Sequence, residues 1–321
     1  MLPYTQFNLN LISKYRLEIM GMATILILIC HAGVYGVEFS PSIKKIIVLG
    51  NLGVEIFFFM SGLGMANSLK NNQGKLSNWY YKRFVRVLIP YFAISIPWFS
   101  IQAILHNQSF DKFICNILTI SFWTEHSGAW FVALLLPLYI LTPLFYSFIK
   151  SKYNYLFLVI TISFCSFCNL IPAHGIVYNM LWAIHRLPCY FIGLFIMEYV
   201  NSKKDINCWT IFFGALLTMF ILRLIDLSSG WLWPAIFIFI IFFCLFLEKN
   251  IWLLVIFKAI GLISLESYLM NICLGDLLLF SINFDNGGYL RYTLILIIGL
   301  LAAVIVNKYI STPLIQFCNK R

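Results

Sequence analysis

Four ionisable side chains, His31, Glu55, Arg186 and Glu266, stand inside long apolar runs of the chain. A charge buried in hydrocarbon costs several kcal/mol unless it is paired or solvated, so such residues are functional candidates by default. At about 1.5 Å per helical residue, Glu55 lies about 15 Å from the outer start of its run and Arg186 about 12 Å from the start of its own. Glu266 is similarly central, and His31 stands about 22 Å above Arg16, toward the outer half. Two acids, one base and one imidazole from four helices satisfy one another only if those helices meet around a common interior. The set reads either as a structural ion-pair core or as an acid–base centre. In the second reading His31 is the group suited to move a proton near neutral pH.

A second concentration of chemistry is YYKRFVRVLIPYF, with Lys82, Arg83, Arg86 and Pro90. Arg83 and Arg86 are three apart and share a helix face. Cations at the N-terminal start of a span, beside its free backbone N–H groups, make an anion site whose usual occupant is phosphate. Lys70 and Lys75 in the preceding loop add to the charge. The same residues also suit anchoring against lipid headgroups on the cytoplasmic side.

The elements that must position these residues follow from composition. Of 321 residues, 61% are hydrophobic and only 11% charged, against about 25% charged in soluble domains. The mean hydropathy is +0.89, so the excess apolar surface faces lipid. Runs long enough to cross a hydrocarbon layer of about 30 Å fall near residues 16–36, 45–69, 82–105, 129–149, 155–171, 178–199, 207–225, 231–248, 253–281 and 290–310. Phe113–Trp123 is also apolar but too short to cross, which predicts a segment that lies at the interface or re-enters. The expected fold is all-α, a polytopic membrane protein of about ten transmembrane helices, with one membrane-embedded domain over residues 1–321.

An even count puts both termini on one side. With the N-terminus inside, the inner segments hold sixteen of the 22 basic residues and the outer segments four, which predicts that both termini are cytoplasmic. The net charge of +10 then reads as topology and attraction to anionic membrane lipid, with no nucleic-acid partner expected. Cys165 and Cys168 form a CxxC inside an apolar segment without flanking polar ligands, so neither a metal site nor a disulfide framework is expected. The N-terminus MLPYTQFNLNLISKYR lacks the apolar core and small-residue site of a cleaved signal peptide.

Six fragments together resemble the ten-helix membrane acyltransferases of the acyltransferase-3 type, which O-acylate bacterial surface glycans. YRLEIMGMATILILICHAG looks like the first-span motif that ends in histidine, and LGVEIFFFMSGLG is similar to the second-span pattern of glycine, acid, double phenylalanine and serine-glycine. KRFVRVLIPYF matches the third-span arginines and proline. AWFVALLLPLYILTPLF, HRLPCYFIGLFI and LISLESYLMNI resemble the later motifs, in the family's order along nearly the whole chain. There are two departures. The arginine that the family places eleven residues before the histidine is here Met20, with Arg16 one turn below on the same face, and the late motif ends in Asn271 where histidine is common. The chain resembles the stand-alone form, without a fused esterase-like domain.

The resemblance implies an acyl-CoA donor, most often acetyl-CoA, with no metal. It also implies a multi-pass protein of the bacterial cytoplasmic membrane that acylates a surface polysaccharide or its lipid-linked precursor. Lys82, Arg83, Arg86 and Arg16 would then receive the polyanionic donor from the cytoplasm. His31 would take the proton of the acceptor hydroxyl, with Glu55 or Glu266 orienting its ring or pairing with Arg186, whose charge would steady an oxyanion. Whether His31 or Ser61 carries the acyl group in transit stays open, as does self-association. Ten spans with mid-span charges also describe a transporter or flippase of a glycan, although the two halves show no internal repeat. A catalytically silent assembly partner is a third reading.

Overall fold

The computed structural model describes residues 6–200, 205–224, 233–278 and 288–320. Lys203, Lys204 and Arg321, and the ends of three predicted runs at 225, 231–232 and 279–281, lie outside the described residues. A short helix, α1 (Asn10–Lys14), leads into α2 (Arg16–Val34). The second run is broken, because α3 (Pro41–Val48) passes through a 3₁₀ turn at Leu49–Asn51 before α4 (Leu52–Lys70) begins. Helix α5 (Leu76–Leu105) is continuous for 30 residues, with Pro90 and Pro97 inside it. Phe113–Trp123 falls on α6 (Phe110–Ile117) and α7 (Ile120–Glu125), of 8 and 6 residues, neither long enough to cross.

Helix α8 (Trp130–Ile149) and α9 (Asn154–Phe167) follow. The run at 178–199 is interrupted between α10 (Gly175–Ile184) and α11 (Pro188–Val200), where Pro188 supplies no N–H and disfavours helical geometry at Leu187. After α12 (Cys208–Leu224) and α13 (Ala235–Lys249), the ninth run is also divided, into α14 (Ile251–Leu262) and α15 (Ser264–Leu278). Helix α16 (Tyr289–Val306) continues through a π-helical turn at Asn307–Ser311 into α17 (Thr312–Asn319). Among the described residues, six helical segments are long and apolar enough to cross a membrane, or seven if α14 and α15 count as one span. Helices α9 and α12 are shorter.

The chain forms two compact units. The first is Met1–Ala23, Asn51–Asn71 and Leu141–Leu262. In lipid there is no hydrophobic drive between helices, so association depends on close van der Waals approach at small residues. Helices α4 and α11 meet in this way: a Cβ added at Gly62 would lie 2.1 Å from the Tyr190 carbonyl oxygen, and one at Gly193 would lie 2.2 Å from that of Phe59. Gly21 of α2 and Gly261 of α14 approach equally closely, at 2.0 Å from Phe257 O and 1.9 Å from Leu17 O. The unit also holds a two-stranded antiparallel ribbon, β1 (Gln6–Asn8) on β2 (Asp205–Asn207), with Phe7 opposite Ile206 and the Asn8 amide donating to Asp205 at 2.9 Å.

The second unit is Thr24–Gly50, Asn72–Ile140 and Ile263–Arg321. Its centre is α15, packed on α5 and α16. The Tyr35 ring lies flat on the α15 backbone at Gly275, where a Cβ would come within 2.2 Å of it. Tyr35 and Tyr292 join Ala32, Val37 and Ile295 in a buried cluster. Tyr91 of α5 donates to the Ile117 carbonyl at 3.0 Å and ties the short helices α6 and α7 to the long one.

Candidate functional site

The polar residues in the apolar runs sit at helix breaks. Glu55 is in the first turn of α4, directly after the 3₁₀ turn, and Glu266 is in the first turn of α15. Arg186 lies in the interruption between α10 and α11. The first four amides of a helix have no partner within it, and the positive end of the dipole favours an acid there. A helix restarting inside lipid therefore gives a buried carboxylate a place to sit.

In the first unit, Arg186 Nη1 donates to Glu55 Oε1 at 2.8 Å. The two side chains are 13% and 8% exposed, so the pair is nearly sealed from solvent. The Arg186 guanidinium stands 5.3 Å over the Trp182 ring, a cation–π contact that orients it further. Beside the pair is His185, 4% exposed and packed edge-on against Trp182 at 5.9 Å. His185 is not among the candidates that the sequence offers. Arg16 opens α2 with its guanidinium against Gly64, where a Cβ would lie 2.8 Å from Nη2.

In the second unit, His31 is half-buried near the C-terminal end of α2, and its Nδ1 lies 2.7 Å from Asn271 Oδ1. Asn271 Nδ2 donates to the Tyr292 hydroxyl at 3.4 Å, and Tyr292 donates to the Leu28 carbonyl one turn before His31. Tyr35 meets the imidazole edge-on at 6.0 Å and Tyr268 lies at 6.3 Å, so the ring stands in an aromatic wall. Glu266, 3% exposed, accepts from Asn307 Nδ2 at 2.9 Å, and Asn307 opens the π-helical turn. Glu266 and Asn271 are five residues apart, about 140° around α15, which explains why they hold different partners.

The four mid-span residues thus resolve into a Glu55–Arg186 pair, a His31–Asn271 pair and a Glu266–Asn307 pair. Of the two partners that the sequence offered Arg186, it holds Glu55, and a neutral amide, not a carboxylate, is on the His31 ring. Asn271, a departure from the resembled motif, is the residue that touches the imidazole. Asn307 and Tyr292 carried no signal, since an asparagine at a helix end and a tyrosine near an interface are commonplace.

The basic cluster needs a correction. The sequence put Lys82, Arg83 and Arg86 at the start of the third span, but α5 begins at Leu76, and these are its seventh, eighth and eleventh residues. The unpaired amides belong to the turn after Lys75, about 10 Å from Arg83. LSNWYY is polar and aromatic rather than apolar, so hydropathy omits it, yet nothing in it stops a helix. An anion held by Lys82, Arg83 and Arg86 would therefore rest on side chains alone. Lys82 and Arg86 are exposed and Arg83 is half-buried.

Among the described residues, no three His, Cys, Asp or Glu side chains group to hold a metal ion. Cys165 and Cys168 are free, buried thiols. No curated protein and no solved structure matches the chain significantly. Residues 20–308, from the second turn of α2 to the π-helical turn, match the acyltransferase domain model of the acyltransferase-3 type. With His31 held in a polar chain inside an apolar helical body and that match spanning nearly all of it, the protein belongs to the acyltransferase-3 family of membrane acyltransferases.

Proposed function

We propose that this protein is an integral membrane O-acyltransferase of the bacterial cytoplasmic membrane, built on ten spans with both termini cytoplasmic. It moves an acyl group, acetyl first among the candidates, from acyl-CoA to a hydroxyl of a surface polysaccharide or its lipid-linked precursor. Family membership supports the reaction class. The observation that carries the mechanism is the half-buried imidazole of His31, fixed at 2.7 Å by Asn271.

A sugar hydroxyl is a weak nucleophile near neutral pH, and a positioned base contributes about 10² to 10⁴ in rate. His31 accepts the hydroxyl proton as the oxygen attacks the thioester carbonyl. The C–S bond then breaks, the acyl group stays on the acceptor oxygen, and the imidazolium returns the proton to the CoA sulfur. Lys82, Arg83, Arg86 and Arg16 are assigned to the phosphates of the donor, Arg186 to the developing oxyanion and Glu55 to holding Arg186. Glu266, through Asn307, steadies the start of the helix that presents Asn271.

The test is His31→Ala in purified protein reconstituted in liposomes with acetyl-CoA and a glycan acceptor. Loss of CoA release and of acylated product, with the variant as abundant in membranes as the parent, is the expected result. Retained transfer removes His31 from the base role. Glycan movement by the parent without any acyl donor would make the protein a carrier.

A further inference from the structure

We infer that Asn271 is a positioning residue which, directed by Tyr292 and the Leu28 carbonyl, locks His31 in the tautomer with hydrogen on Nδ1 and so leaves the Nε2 lone pair for the acceptor hydroxyl. The inference rests on the proposed role of His31 as base and goes beyond it, to the group that makes the base competent. The chain of hydrogen bonds has only one consistent direction, because it ends on a backbone carbonyl. Leu28 O can only accept, so the Tyr292 hydroxyl hydrogen is committed to it. The Tyr292 oxygen is then an acceptor, and the group reaching it at 3.4 Å must be the amide NH₂ of Asn271.

That fixes the amide with Oδ1 toward His31 Nδ1, at 2.7 Å. An amide oxygen only accepts, so Nδ1 must carry the hydrogen. The other tautomer would set two lone pairs against each other at that distance. When Nε2 takes the acceptor's proton, the Nδ1–H···O bond becomes charge-assisted and shortens. The interaction is thus stronger in the transition state than in the ground state, and its removal lowers kcat while leaving KM in place.

Two measurements test this, one independent of turnover. The first is solid-state NMR of protein labelled with ¹⁵N-histidine, in liposomes at about pH 8.5, where an imidazole is neutral. Subtracting the His31→Gln spectrum isolates His31, which is expected to show a protonated Nδ1 and a bare Nε2. A hydrogen on Nε2 overturns the inference. The second is kinetics: Asn271→Leu is expected to lose about 10- to 100-fold in kcat, the usual scale for an orienting partner, with the KM for acetyl-CoA within about twofold. Asn271→Asp, which keeps an accepting oxygen, should recover most of that loss, and Tyr292→Phe should fall between the parent and Asn271→Leu. Full activity in Asn271→Leu sinks the inference. If Asn271→Leu does not accumulate in membranes, the wild-type spectrum and Asn271→Asp still decide. A protonated Nδ1 together with an active His31→Ala leaves the tautomer lock standing and removes the base reading instead.

Discussion

Glu55 and Arg186 set the energetic problem at the scale of single residues, because each is a charge in a nearly sealed interior with the other as its neutralising partner. Removing one partner of a buried pair costs about 3–5 kcal/mol, while replacing both with apolar groups of similar volume is often close to neutral. Glu55→Gln and Arg186→Met should therefore each lower the melting temperature and membrane abundance sharply. Glu55→Leu combined with Arg186→Met should recover most of the loss, as read by the fraction remaining soluble after heating in detergent. Transfer activity of the double variant then separates the two roles that the sequence left open. A stable and active protein makes the pair structural; a stable and inactive one makes it part of the chemistry. These charges were legible because hydrocarbon tolerates few of them. Their partners were legible only in part: Glu55–Arg186 follows from opposite charge, but the His31–Asn271 pair spans 240 residues and joins two groups that no charge rule couples.

Helix packing in the first unit turns on glycines rather than on large apolar side chains. At Gly62 and Gly193 an added methyl would meet carbonyl oxygens of the facing helix at 2.1 and 2.2 Å, well inside contact distance, and backbone cannot swing aside as a side chain can. Gly193→Ala and Gly62→Ala should each destabilise by about 1–3 kcal/mol or more, the cost of overpacking. Gly214→Ala on α12 is the control: nothing lies within 4 Å of its added Cβ, and alanine favours the helix by about 1 kcal/mol, so its melting temperature should hold or rise. Equal losses at all three positions would mean that backbone contact is not what holds α4 to α11. Helix existence was readable from hydropathy, since each of the ten apolar runs carries helix over most of its described length. The breaks were not readable. The division at Ile263 keeps the apolar composition of the helices around it, and Gly50 and Asn51 in the 3₁₀ turn at Leu49–Asn51 are too few to lower the average of a window that spans the run. The polar residues at 55 and 266 marked those places without showing that the helix restarts there.

Topology is the whole-molecule question, and the small ribbon constrains it more than hydropathy does. Helices α9, α12 and α13 have 14, 17 and 15 residues, about 21, 25 and 22 Å of rise against a hydrocarbon layer of about 30 Å, so length alone leaves all three short. Strand β1 precedes α2, and β2 follows α11, yet the two pair residue by residue. Paired strands lie on one side of a membrane, so the chain between them crosses an even number of times. In the proposed ten-span topology, helix α2, the α3–α4 segment, α5, α8 and the α10–α11 segment are five crossings, and α9 is required as the sixth. A crossing by so short a helix would call for local thinning of the bilayer or for flanking residues that snorkel. The proposed cytoplasmic N-terminus puts β2 on the same side, and the proposed topology then has α12, α13, the α14–α15 segment and α16 return the C-terminus there. The excess of lysine and arginine on the inner segments points the same way. Fusions of a fluorescent protein that matures only in the cytoplasm, and of a phosphatase active only outside it, read each position directly. Fluorescence is expected after Asn207 and Lys320, and phosphatase activity after Leu224. Phosphatase activity after Asn207 would contradict the ribbon and with it the sixth crossing, while fluorescence after Leu224 would mean that α12 does not cross and would overturn the count of ten.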